Sequence, residues 1–336
     1  MFSPFAVPVF WTSIPRQKTS AKMSAPPGET TMLNKRAFVT GTLITGTLAA
    51  AAAAAAHAQA MKAEVKKAAA APAKPDIPHG MVKTTKLFQA PPGFANALAI
   101  APEGLWIGQQ KVSGPHAMQD YHLPEPADLH EAAWLVDWNG KLLKTVTTNS
   151  RNTSGMAYGD SCVWMMANQA PEGVFQVDMN SKEISHRQIP LGLPGQDGGG
   201  SHGAQWHNGK LWIVANRPRL LLRVDPKSWT PEAAIPIYAP AEKPRWHDMT
   251  FDAEGNIWQV TGNDSKSYKE GKPGLVKYDS KTGAVMATYD FVPGSSDPHG
   301  LEFHNGTLIS CDAGIHPGWP NYDSPTHGWI FKIEMA

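Results

Sequence analysis

From about residue 82 to its end the chain alternates short apolar runs with turn signals, and one pattern returns five times. The copies are NALAIAPEGLWIGQQ (96–110), NTSGMAYGDSCVWMMANQ (152–169), GSHGAQWHNGKLWIVANR (200–217), RWHDMTFDAEGNIWQVTGN (245–263) and SDPHGLEFHNGTLISCDAG (296–314). Each opens on small or polar residues, alternates apolar and polar positions, turns tightly, and continues as a second apolar run. That is the signature of a strand, a hairpin turn and a second strand. Anchored at Trp106, Trp164, Trp212, Trp258 and Ile309, the copies are spaced by 58, 48, 46 and 51 residues. Such a period fits a four-stranded propeller blade.

The rest of each unit fills in the same way. A third strand ends in a Val/Tyr-Asp signal in AWLVDW, VFQVDM, LLRVDP and LVKYDS, with WIFKIE as the last copy. The fourth strand is more variable: KLLKTVTT, KEISHRQIPL, AAIPIY and AVMATYDF. The fifth unit reaches Ala336 after its third strand, while VKTTKLFQA (Val82–Ala90) precedes the first unit and belongs to none. This segment is expected to supply the missing outer strand and close the ring. The pattern predicts an all-β fold, a five-bladed propeller over residues 81–336, with six blades as the alternative.

Composition sharpens this picture. The chain has 336 residues, 18% of them charged, with a formal net charge of +1, so it lacks the basic excess of a nucleic-acid binder. Gly (30), Pro (29) and Trp (12) suit short strands and tight turns. Cys162 and Cys311 fall on non-neighbouring units and are expected to be free and buried.

The N-terminal part reads differently. Residues 32–60 carry Lys35-Arg36, then an Ala-rich apolar run, then Ala56-His57-Ala58 or Ala58-Gln59-Ala60 as a cleavage site. That is the form of a secretory signal. The stretch NKRAFV resembles a twin-arginine export signal with Lys in the first Arg position, so Tat or Sec export is expected. Residues 1–31 are expected to be an extension upstream of a true start at Met32, and residues 61–80 an Ala/Lys/Pro linker. The mature chain is expected to be periplasmic or secreted, to lack a membrane span, and to be a monomer acting on a small molecule.

The propeller geometry places the chemistry. The first strand of each unit lines the central channel. Its first channel residue is Asn96, Ser154, His202, His247 or His299. The second strands end at the same rim with Asn168, Asn216, Asn263-Asp264 and Asp312, and Trp246 and Trp319 lie nearby. Three converging imidazoles suit one divalent ion, Zn, Fe, Mn or Cu rather than Mg or Ca. The expected ligands are His202, His247 and His299. His299, His247 and Asp248 are the expected catalytic groups. Asn96, Ser154, Asn168, Asn216, Trp246, Asn263, Asp264, Asp312 and Trp319 are the expected substrate contacts. His207 and His304 precede Asn-Gly turns on the opposite face and are expected to be structural; His186, on an outer strand, is expected to be solvated.

The stretches PHGLEF, GTLISCDA and HDMTFDAEGNIWQVTGN resemble the streptogramin B lyase-like propellers, the senescence-marker/gluconolactonase group and the NHL-type repeats. The resemblance spans roughly residues 82–336. The relatives of the lyases keep a histidine at the front of the inner strand, and His299 is the best match. The first two groups are metal-dependent enzymes, usually with seven and six blades; five repeats and three histidines differ from both. The resemblance implies a metal-dependent lyase, with a lactonase or related hydrolase as the first alternative and a non-catalytic binding propeller as the second.

Overall fold

A computed structural model of the chain describes residues 77–114, 124–190, 201–216, 218–237, 245–262, 273–296, 298–314 and 328–336. The signal, the upstream extension and nearly all of the linker lie outside these residues, as do Asn263, Asp264 and Trp319. Among the described residues there are twenty strands and no helix, hence none long and apolar enough to cross a membrane.

The strands follow the sequence repeat. One sheet holds β2 (Phe94–Ala101), β3 (Gly104–Gln110), β4 (Glu131–Val136) and β5 (Leu142–Thr148) in that order. A second holds β6 (Thr153–Gly159), β7 (Cys162–Ala167), β8 (Gly173–Asp178) and β9 (Glu183–Arg187). A third holds β10 (Ser201–His207), β11 (Lys210–Ala215), β12 (Leu220–Val224) and β13 (Pro231–Pro236). The remaining strands are β14 (Arg245–Phe251), β15 (Ile257–Gly262), β16 (Gly274–Tyr278), β17 (Val285–Phe291), β18 (Leu301–His304), β19 (Thr307–Cys311), β20 (Trp329–Met335) and β1 (His79–Gln89). They form one eight-stranded sheet in the order β14-β15-β16-β17-β1-β20-β19-β18.

The eight-stranded sheet contains the closure. β1 runs antiparallel to β20 from Val82 opposite Met335 to Gln89 opposite Trp329. Its first four residues also pair parallel with β17, His79 opposite Thr288. The first and last described strands are thus joined in one ladder, as the unassigned segment before the first unit implied.

Inner strands β2, β6, β10, β14 and β18 touch in that order, and β18 touches β2. The apolar core is divided between neighbouring units. Trp106, Trp164, Trp212 and Trp258 each sit in a separate cluster shared by two adjacent units, and Ile309 sits in the cluster that joins β18–β20 to β2–β4. All five aligned side chains are buried. The Trp164 indole N–H donates to Gly159 O at 3.1 Å, and that of Trp258 to Asp252 Oδ2 at 2.9 Å, so these rings bury their area without losing their polar atom.

The recurring aspartates also have a local cause. Asp137 Oδ1 accepts the N–H groups of Asn139 and Lys141, both at 2.9 Å. Asp178, Asp225 and Asp279 do the same for the residues two and three or four positions on. Each ends a third strand by closing an Asx turn into the fourth. Cys162 and Cys311 are buried and free.

Candidate active site

Every inner strand carries an irregularity at its first channel residue. Along β2, Ala95 faces Gln109 but Ala97 faces Gly108, so Asn96 is one residue more than the partner strand supplies. The same single extra residue occurs at Ser154 between Thr153 and Gly155. It occurs again between Ser201 and Ala204, and between Trp246 and Met249. At β18 the His299 N–H donates to Cys311 O at 3.0 Å although Leu301 lies opposite Ser310, which is the same offset. A β-bulge re-aims the side chain it carries. Here it acts on Asn96, Ser154, His202, His247 and His299 together.

The glycines that follow some of these residues are there for space. A Cβ on Gly155 would lie 2.0 Å from His202 O, and one on Gly203 would lie 2.5 Å from Asp248 Oδ1 and 2.7 Å from His247 O. On Gly300 it would meet Leu98 N at 2.7 Å. Adjacent inner strands therefore approach backbone to backbone at this level, and the His-Gly pair combines a ring with the gap that lets it in.

His202, His247 and His299 are brought together. The rings of His202 and His247 are 5.3 Å apart between centroids and tilted by 58°; those of His247 and His299 are 4.4 Å apart and tilted by 59°. All three are buried. Two imidazoles on one ion, with metal–nitrogen bonds of about 2.1 Å, hold their centroids roughly 4.5–5.2 Å apart; the observed spacings of 5.3 and 4.4 Å come close to that range from either side without falling in it. Among the described residues, however, no group of three or more His, Cys, Asp or Glu side chains is arranged to hold a metal ion. As they stand, the three rings form a contact cluster and not a ligand set.

Polar groups surround this cluster at the same end of the strands. Asn96 Nδ2 donates to Thr153 O at 3.0 Å, Asn216 Nδ2 to Trp246 O at 3.2 Å, and Asn168 Nδ2 to Ser154 Oγ. The amide oxygens of Asn96, Asn168 and Asn216 are buried and accept no hydrogen bond among the described residues. Asp312 is buried, and its Oδ1 accepts the Gly314 N–H at 2.7 Å. Trp246, expected as a platform for a flat substrate, packs instead with Trp212, Met249 and Tyr278 between two units and is 2% exposed. It sits just before the bulge, where the side chain still points to the inter-unit core.

Three carboxyl groups dominate the interior, and two were not evident from the repeat. Asp248 is fully buried; burial drives its pKa well above the usual carboxylate range, against the pull of backbone N–H donors. Glu302 lies three residues beyond His299, in register with Gln205 and Thr250 after His202 and His247. Gln205 Nε2 donates to Glu302 Oε2 at 2.8 Å, Thr250 Oγ1 to the same oxygen at 3.3 Å, and Ile100 N to Oε1 at 3.1 Å. Burial pushes Glu302 up to about 7. Glu131, also raised to about 7 by burial, accepts Lys111 N at 2.6 Å and Thr153 N at 3.0 Å, tying the first unit to the start of β6. Position three after each first channel residue was the signal that could have exposed Glu302.

Three other described histidines, His207, His304 and His186, are held by packing contacts. His207 stacks on Phe251 at 3.9 Å and His304 on Trp138 at 3.8 Å, each beside a turn whose Asn and Gly have positive φ. His186 is not simply solvated: it stacks on Phe175 at 4.1 Å, and its Nε2 meets Glu172 O at 2.8 Å.

No protein-family model matches the sequence, and no curated protein is significantly similar to it. Solved structures are similar in fold. The glutaminyl cyclase of Myxococcus xanthus aligns with a TM-score of 0.50 at 11% identity, over 77% of this chain and 98% of that one. A luciferin-regenerating enzyme aligns at 0.41 and 12% identity, over 72% and 78%. The WD40 repeats of RRP9 align at 0.42 and 9% identity, over 71% and 79%. The likeness to the cyclase identifies a β-propeller and nothing narrower.

Proposed function

We propose that the chain is a five-bladed propeller enzyme acting on a small organic molecule where its channel opens beside His202, His247 and His299. The observation that supports this most is the cluster itself: three buried imidazoles from adjacent inner strands, each placed by a bulge. Imidazole takes and returns protons near neutral pH, and a lyase needs such a base next to a carbonyl or ester. In this reading His299 or His247 removes the proton adjacent to that group, and the amide oxygens of Asn96, Asn168 and Asn216 accept donors from the substrate. A Zn, Fe, Mn or Cu ion on the three imidazoles is part of the proposal. It would polarise the substrate oxygen, it requires the rings to turn from their present positions, and a ring bound to it would not at the same time serve as the base. We further propose that the chain is exported and cut near residues 56–60, leaving a monomer; N-terminal sequencing and sedimentation of the mature protein test both.

The functional test uses the mature protein with a panel of lactones, esters and aryl ethers, together with elemental analysis. A lyase produces an unsaturated product with new ultraviolet absorbance, whereas a hydrolase releases a free acid. No turnover, no stoichiometric metal and unchanged behaviour of His202→Ala, His247→Ala and His299→Ala would leave a binding propeller as the reading.

A further inference from the structure

The three imidazoles are carried by three different strands, yet one carboxylate holds all three strands at equivalent points. Asp248 Oδ1 accepts the N–H of Ala204 at 3.1 Å and that of Met249 at 2.9 Å, and Oδ2 accepts the N–H of Leu301 at 3.1 Å. Ala204 is two residues beyond His202, Met249 two beyond His247, and Leu301 two beyond His299. Each contact therefore falls just past a bulge that places a ring. β10, β14 and β18 are edge strands of their sheets, where outward N–H groups have no strand partner, and Asp248 meets one such group on each.

The surroundings fit the same reading. Gly203 has no side chain where its Cβ would come within 2.5 Å of Asp248 Oδ1, so the strand carrying His202 gives room to the carboxylate. Asp248 replaces the glycine found at the corresponding place in β6, β10 and the approach to β18. β2 has the methyl group of Ala97 there, and the polar side chain falls on the inner strand whose two neighbours also bear histidines.

We infer that Asp248 is a positioning residue that sets the mutual geometry of His202, His247 and His299 by clamping their strands, rather than a group that reacts. The inference rests on the reading of those imidazoles as the reacting site, but its test does not use turnover. Asparagine at this position keeps one acceptor oxygen and presents an N–H2 group on the other side. Oδ1 serves two amides and Oδ2 one, so the side chain retains most bonds with its oxygen at the Oδ1 position. The Asp248→Asn variant then loses the clamp on Leu301 alone.

The experiment records histidine side-chain and backbone amide NMR spectra of the full mature chain, with each imidazole assigned by His→Gln substitution. In Asp248→Asn the His299 imidazole signal moves most, His247 follows less through the 4.4 Å ring contact, and the Leu301 amide exchanges at least about tenfold faster, while His202, Ala204 and Met249 stay in place. In Asp248→Ala all three imidazoles move. Equal movement of all three rings in Asp248→Asn, or movement of none, overturns the inference. If both variants fail to fold, wild-type exchange decides it. The clamp requires the amides of Ala204, Met249 and Leu301 to exchange among the slowest in the chain, and exchange faster than the flanking ladder amides overturns it. If the histidine-to-alanine variants keep full turnover while Asp248→Asn moves His299 most and His202 not at all, the clamp stands and the functional reading fails.

Discussion

The same phrase puts one histidine at each end of an inner strand, and the two have different fates. His299 stands at a bulge, buried against another imidazole 4.4 Å away. His304, five residues on, stands at an Asn-Gly turn and lies flat on Trp138. His202 and His207 repeat the contrast, the first beside His247 and the second on Phe251. At the turn end the ring is a packing surface, and burial lowers the pKa of both His207 and His304. At the bulge end rings are gathered with rings and with buried amides. Residue type alone does not fix the surroundings of a ring; the backbone irregularity beneath the residue does.

Two glycines of one copy give the largest expected break in this comparison. Gly203→Ala puts a methyl group against Asp248 and two backbone atoms at 2.5–2.7 Å, so the folded chain should lose at least about 3 kcal/mol in a denaturant melt. Gly209→Ala meets no atom within 4 Å but must hold a φ near +71°, and should lose only about 1 kcal/mol. Equal losses would mean that the inner strands do not approach as closely as described.

A pH series sharpens the electrostatic side. Glu131 has a folded pKa of about 7 against 4.5 for an ordinary glutamate. Between those values the folded protein keeps a proton that the unfolded chain has released, so stability falls as pH rises through the window and is level below it. The loss from this group amounts to at most about 3 kcal/mol by pH 8. Melts of wild type and Glu131→Gln from pH 4 to 8 should show a shallower decline in the variant; parallel curves would remove the assignment.

The smallest effect belongs to the turn histidines. His304→Ala should cost about 1 kcal/mol of stability through the lost stack on Trp138, with turnover unchanged. A thermal melt beside an activity assay reads both.

Much of this was legible in the chain. The strand phases, the aspartate that ends four of the third strands, the closing N-terminal segment and the different places of the two histidines all follow from a repeat with fixed offsets. The bulges did not show, because one extra residue leaves the apolar alternation on either side intact. For that reason Trp246 read as a rim residue although it faces the core. Glu131 and Glu302 were also missed: a glutamate in a strand is ordinarily solvated, and only the narrowness of the channel and the first unit's junction with β6 buries them.

The central claim is that the bulge-borne imidazoles, and not the turn-borne ones, are the working groups. Turnover of the lactone, ester and aryl ether panel by wild type, His299→Ala and His304→Ala tests it most directly. The account predicts a loss of at least about 100-fold in His299→Ala and none in His304→Ala. Equal rates in the two variants would contradict it.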